Sequence, residues 1–125
     1  VLKLITRKCI PVKDSNILIM GLAFKENCPD LRNTRVVDIV HEFEKLNCNV
    51  DVYDPWINKN EAVREYNIKP INQPKEGKYD AIILAVAHDK FKELRLFNIK
   101  AFGKDNHVIY DIKYLLKANE VDGRL

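Results

Sequence analysis

The sequence predicts an α/β domain: a three-layer, Rossmann-like, doubly wound parallel sheet. Two short apolar runs, residues 16–20 and 79–86, read as strands buried on both faces, as parallel sheets require. Between such runs lies a segment of helical period, residues 36–46. The length, 125 residues, leaves room for a single core, so strands and helices must alternate around one sheet.

The elements follow in order. Leu2, Ile5 and Cys9 lie about one helical turn apart and fit the tail of an amphipathic helix, with Cys9 a packing position on it. We take residues 1–13 as the end of a linker helix from a larger protein and residues 14–125 as the domain. The apolar opening is broken by Lys3 and has no small-residue cleavage site, which argues against a signal peptide. Asn16-Ile17-Leu18-Ile19-Met20 is the first strand, ending at Gly21. Residues 22–33 form a loop containing Pro29. Asn33 or Thr34 is placed to cap a helix whose apolar face is Val36, Ile39, Val40, Phe43 and Leu46. Residues 47–49 close it, and Val50-Asp51-Val52-Tyr53 is the second strand, completing a right-handed βαβ unit.

Asp54-Pro55-Trp56 turns the chain. Residues 61–66 read as a short helix, 68–71 as a brief strand interrupted by Pro70, and 79–86 as the clearest buried strand. Residues 90–94 read as helix, 97–102 are ambiguous, and Val108-Ile109-Tyr110-Asp111 is the last strand. Ligands of such folds bind beyond the carboxyl ends of the strands. Function is therefore expected in residues 21–32, 87–90 and 111–114.

Composition excludes several classes. The chain is 46% hydrophobic and 31% charged, ordinary for a folded domain and unlike a disordered chain. Its 21 basic and 18 acidic residues leave a net charge of +3. The signs are interspersed, too diffuse for a nucleic-acid or polybasic membrane surface. No apolar run approaches the roughly 20 residues of a membrane helix. Three cysteines, Cys9, Cys28 and Cys48, lack metal or disulfide spacing. Reduced thiols in a cytoplasmic protein are the natural reading.

A strand followed by glycine, loop and helix suggests dinucleotide binding, but the fingerprint needs three clustered glycines and Gly21 stands alone. Asp54 occupies the place of a ribose-binding acid. Without the glycines, NAD is not expected to be held by this domain alone. Lys25 and Arg32 lie between a strand's carboxyl end and a helix N-terminus, where two cations can neutralise a diphosphate, with Asp30 holding Arg32 by a forked pair. A solvated loop with one ion pair explains the same residues. Cys28 near Lys25 has the setting of a nucleophile, yet no histidine is near in sequence, and a neutral loop cysteine is preferred. Cys48 reads as packing and His41 as surface. His107 lies at the wrong end of its strand for a role. His88 follows a buried strand at its carboxyl end, a functional place, although a capping or core-satisfied histidine is commoner there. Lys113 either faces the same cleft as Lys25 or sits in solvent at the sheet edge. No metal-ligand spacing is present.

Four segments together resemble a known family. Ile17-Leu18-Ile19-Met20-Gly21-Leu22-Ala23-Phe24-Lys25-Glu26-Asn27-Cys28-Pro29-Asp30-Leu31-Arg32-Asn33-Thr34 is similar to the opening of the C-terminal domain of UDP-glucose/GDP-mannose dehydrogenases. Val50-Asp51-Val52-Tyr53-Asp54-Pro55-Trp56, Ala85-Val86-Ala87-His88-Asp89-Lys90-Phe91 and Tyr110-Asp111-Ile112-Lys113 resemble its later blocks. The resemblance covers about residues 1–118. It implies the UDP-sugar-binding part of an NAD-dependent enzyme that oxidises the C6 alcohol of a nucleotide sugar to a carboxylate through a thiohemiacetal. The NAD domain, the nucleophilic cysteine and a dimerising central region belong to parts this chain does not resemble. The fragment is therefore expected to be inactive alone.

By the same resemblance Phe24 and Lys25 contact the nucleotide sugar, and Arg32, partnered by Asp30, reaches NAD across a cleft. Lys113 stands where glucose-oxidising members carry arginine. Asp-x-Lys is more similar to the branch acting on UDP-N-acetylhexosamines in capsule and O-antigen synthesis, the Vi antigen included. A UDP-glucose 6-dehydrogenase domain is the alternative. Two other classes compete. A non-catalytic α/β nucleotide-binding or regulatory module would leave Lys25, Arg32 and Lys113 pointing apart. A small hydrolase would use Cys28 or His88.

Overall fold

The computed structural model describes residues 1–124, so Leu125, the last residue of the expected domain, lies outside them. The elements run α1 (Leu2–Arg7), β1 (Asn16–Met20), α2 (Val36–Lys45), β2 (Asn49–Tyr53), α3 (Lys59–Tyr66), β3 (Tyr79–Leu84), α4 (Asp89–Phe102), β4 (Gly103–Asp111) and β5 (Gly123–Arg124). The strands form one sheet in the order β2-β1-β3-β4-β5, every pairing parallel. The expected doubly wound α/β architecture is thus the observed one.

The reason lies in the residues of β1 and β3. Ile17 and Ile19 pack with Val36, Val40 and Phe43 of α2 on one face. Leu18 and Met20 pack with Phe91 and Ile99 of α4 on the other. Both strands are apolar at successive positions, so neither face can be left to water, and helices must cover both.

Local chemistry sets the element ends. Asn58 caps α3 by accepting from the N–H of Glu61 at 3.0 Å, which starts that helix at Lys59, two residues before its expected start. Asn67 ends it in a left-handed conformation, one that asparagine tolerates. Leu46, expected on the apolar face of α2, is exposed beyond the helix end.

Some expectations are corrected. Residues 68–71 form no strand: Ile71 makes one backbone bond to Val52, at 2.8 Å, and Pro70 has no N–H to continue a ladder. Cys9 is exposed with φ 60°, beyond the end of α1, and is not a packing position. The ambiguous segment 97–102 is helical within α4, which is broken at Arg95 (φ 59°, ψ 169°). The last strand begins at Gly103, earlier than expected, and the edge strand β5 carried no sequence signal. Among the described residues no helix is long and apolar enough to cross a membrane.

Candidate functional site

A parallel sheet brings the carboxyl ends of all its strands to one edge. Here the order reverses between β1 and β3, since β1 leads outward to β2 while β3 leads to β4. The loops after these strands diverge and leave a crevice at that point.

The loop after β1 starts at Gly21, whose φ of +106° suits glycine. A Cβ there would stand 2.5 Å from Cβ of Val86. The bare face of Gly21 is filled by the chain leaving β3, and no pyrophosphate can approach it. The residues present therefore do not form a dinucleotide cradle.

Asp54 likewise is closed to a ribose, being only 3% exposed. Its Oδ2 accepts from the N–H groups of Leu22 and Ala23 at 2.8 and 2.9 Å, and its Oδ1 from that of Trp56 at 2.8 Å. Oδ2 also meets Nε2 of His88 at 2.9 Å, both side chains being fully buried. Burial pushes the Asp54 carboxyl up, but the His88 bond and three backbone N–H groups outweigh it and hold it below the usual carboxylate range.

The N–H of Asn27 donates to Nδ1 of His88 at 2.9 Å, so Nδ1 is an acceptor and the proton belongs on Nε2, facing Asp54. His88 is thus the core-satisfied histidine of the two sequence readings. With both ring nitrogens engaged it has none left to activate Cys28, which is half-buried in the same loop. That arrangement does not support a hydrolase.

The loop closes on itself through the N–H of Phe24, which donates to the carbonyl of Asp30 at 2.7 Å. Phe24 is 52% exposed, and Lys25 is exposed beside it. Arg32 forks onto Asp30 through Nε at 3.1 Å and a terminal nitrogen at 3.3 Å. This bond lowers the Asp30 carboxyl, with a further contribution from the charge of Lys25, and raises Arg32.

Lys113 is placed by a second buried carboxylate. Asp111 accepts from the N–H of Lys113 at 3.2 Å and from that of Leu116 at 2.8 Å. Ile112 continues the sheet by donating to Leu84 at 3.0 Å.

A cavity of about 260 Å³ opens in the crevice. Ala23 and Phe24 line it from the first loop, Ala85 and Val86 from the end of β3, and Ile112 and Lys113 from the end of β4. Asn33 to Val36, at the N-terminus of α2, close its far side, where the helix dipole favours an anion. Phe24 and Lys113 are therefore brought together. Lys25 stands outside the lining, and Arg32 lines a separate cleft with Glu61, Glu65 and Tyr66.

Arg35 was not singled out by sequence. With Asn33 or Thr34 as the expected cap, Arg35 falls inside the helix. Instead Arg35 occupies the cap position, its side chain making no capping bond. Thr34 accepts from Val36 at 3.3 Å while donating to Leu22 at 2.7 Å. Asp54 and Asp111 as organisers of their loops were also missed. The available signal was an aspartate immediately at the carboxyl end of each strand. Among the described residues no cluster of histidine, cysteine and carboxylates is placed to hold a metal.

Residues 18–118 match the model of the UDP-glucose/GDP-mannose dehydrogenase family, UDP binding domain. The chain is 50% identical over 124 residues to UDP-N-acetyl-D-glucosamine 6-dehydrogenase from Salmonella typhi, covering 99% of itself and 29% of that protein. It is 52% identical over 123 residues to the protein of the same name from Pseudomonas aeruginosa, covering 98% of itself and 29% of that protein. Among solved structures, NDP-N-acetyl-D-galactosaminuronic acid dehydrogenase from Methanosarcina mazei Go1 shares the fold with a TM-score of 0.81 at 22% identity, over 95% of this chain and 25% of the other. The chain thus spans less than a third of the length of these relatives.

Proposed function

The chain belongs to the UDP-glucose/GDP-mannose dehydrogenase family, as its UDP-binding domain, and from this we propose that it is the nucleotide-sugar-binding part of an NAD-dependent UDP-sugar 6-dehydrogenase. That activity takes a C6 alcohol to a carboxylate in two hydride transfers. The proposed substrate is a UDP-N-acetylhexosamine, supported by the names of the relatives at 50% and 52% identity and by Lys113 in Asp-x-Lys.

The observation that carries the proposal is the meeting of Phe24, Lys113 and the N-terminus of α2 around one cavity. An exposed ring offers a stacking face for a base. A lysine and a helix N-terminus offer charge and N–H groups to a diphosphate. The cavity's 260 Å³ is below the roughly 300–1,000 Å³ that encloses a drug-sized ligand. It suits part of a nucleotide sugar, the rest lying against regions of the parent that this chain does not cover. Lys25 is assigned to the phosphate end from outside the cavity.

With Val86 against Gly21, we assign the NAD cradle to another region of the parent, and to Arg32 a single contact with that cofactor. Arg32 lines a separate cleft, a placement that a non-catalytic module would share, so its assigned contact rests on the family resemblance. Residues 1–13 are assigned to the end of a linker helix, and dimerisation of the parent to its central region. The three free cysteines fit a cytoplasmic location.

The test is an NMR titration of the 125-residue chain with UDP, UDP-N-acetylglucosamine and UDP-glucose. Amide shifts on Phe24, residues 33–36 and residues 111–114 are expected, larger for the N-acetyl sugar than for UDP-glucose. Unmoved amides at these positions up to millimolar nucleotide would overturn the assignment of the cavity.

A further inference from the structure

We propose that His88 is a positioning residue for the nucleotide-binding loop. As the tautomer protonated on Nε2, it ties Asn27 to Asp54 and so fixes the shape in which residues 22–27 present Phe24 and Lys25. The proposal rests on the nucleotide-binding reading of that loop and deepens it.

Residues 24–27 are exposed, so packing does not define their path. Each residue left free to move costs backbone entropy when a ligand later orders it. Besides the bond from Phe24 to the carbonyl of Asp30, the loop is pinned at its start and at its end. At its start, Leu22 and Ala23 donate to Asp54. At its end, Asn27 donates to Nδ1 of His88. Both pins meet in one buried pair, because Nε2 of His88 bonds the same Oδ2 that receives Leu22 and Ala23. Phe24, Lys25 and Glu26 form the span between them.

The histidine itself cannot yield. Its ring is fully buried, meets the edge of Phe91 at 5.2 Å and lies against Trp56 at 6.3 Å. A second tie runs from the loop to the first residue of α4, since Oδ1 of Asn27 accepts from the N–H of Asp89 at 3.0 Å. Only an acceptor at the δ position of residue 88 completes the pin. A proton there would set two donors against each other.

Two substitutions separate the two bonds of the ring. In His88→Asn the amide oxygen falls near the place of Nδ1, keeping an acceptor for Asn27 and losing the bond to Asp54. In His88→Gln the amide nitrogen falls near Nε2, keeping the bond to Asp54 and losing the acceptor. The pin predicts that His88→Gln binds UDP about tenfold more weakly than His88→Asn. It also predicts faster exchange of the Asn27 amide in His88→Gln without ligand, at comparable thermal stability of the two variants. A role confined to the core would move affinity and exchange equally in both, and that result overturns the proposal. Nitrogen-15 spectra of the wild-type ring should show Nδ1 unprotonated; a proton on Nδ1 also overturns it. If the wild-type chain binds no UDP, the nucleotide reading fails, and the difference in Asn27 exchange between the variants still decides the pin.

Discussion

The Cα of Gly21 faces Val86 so closely that any added Cβ would lie 2.5 Å from the valine Cβ and 2.9 Å from its backbone nitrogen. The lone glycine after the first strand is explained by the close approach of the chain leaving β3, not by phosphate binding. Its φ of +106° adds a second constraint. Since a backbone atom cannot retreat as a flexible side chain would, Gly21→Ala should cost about 3 kcal/mol or more. The denaturant midpoint of the purified chain measures this; a shift under about 1 kcal/mol would show that the two loops are not locked together.

Acid should loosen the same region. The carboxyl of Asp54 is held below its unfolded value of 3.8, so the folded state favours the ionised form. Its contribution is fully present above about pH 4 and is lost as pH falls from there through the folded pKa. Asp54→Asn removes the titration and leaves at least one N–H facing an amide nitrogen, which should cost about 1–3 kcal/mol at neutral pH. Unfolding free energies between pH 7 and 3 should therefore fall less steeply in Asp54→Asn than in the wild type. Parallel curves would place the acid-sensitive group elsewhere. Asp30 is also lowered, but it lies in a surface ion pair whose contribution is small.

The placement of cations separates the two proposed roles. Lys113→Ala removes a charge from the cavity and Lys25→Ala one from its approach. Each is expected to weaken UDP binding about ten- to a hundredfold, the range of a charge-assisted hydrogen bond. Arg32 lines another cleft, and Arg32→Ala should leave UDP affinity within about twofold. Calorimetric titration of the three variants reads this directly. Equal losses in all three would mean that one anion site spans both clefts.

Sequence reading succeeded where one residue decides its own environment. The apolar runs of β1 and β3 require cover on both faces wherever they lie, so the sheet and its helices were legible. So was the Arg32–Asp30 fork, made between residues two apart. It failed where the deciding partner is distant in sequence. Asp54 stands in the place of a ribose-binding acid, and nothing local shows that Leu22, Ala23 and His88 all converge on its Oδ2. His88 looked ambiguous because Asn27 lies 61 residues away. Arg35 was missed through a shift of a single residue at a helix start, enough to turn a cap into a helix interior. The strand expected at 68–71 failed because an apolar run interrupted by proline packs without pairing, as Ile68 and Pro70 do.

The first helix supplies the last prediction. Ile5 is fully buried and belongs to the same core cluster as Ile17 and Val108. Beyond it, Lys8 pairs with Asp122 at 2.9 Å, and the other oxygen of that carboxylate accepts from the N–H of Ile109 at 2.7 Å. The turn after α1 is thereby fastened to β4 and to the residue just before the edge strand β5. The ion pair is partly exposed and should contribute less than about 1 kcal/mol, whereas the isoleucine carries the anchoring. Ile5→Ala leaves a cavity under the sheet and should cost about 2–5 kcal/mol, while Lys8→Ala should cost under 1 kcal/mol. Chemical denaturation of both variants tests the order. If Lys8→Ala proved the more damaging, the charge pair rather than the buried side chain would be what holds the helix to the domain. A chain starting at residue 14 would then lose mainly an electrostatic clasp rather than part of the core.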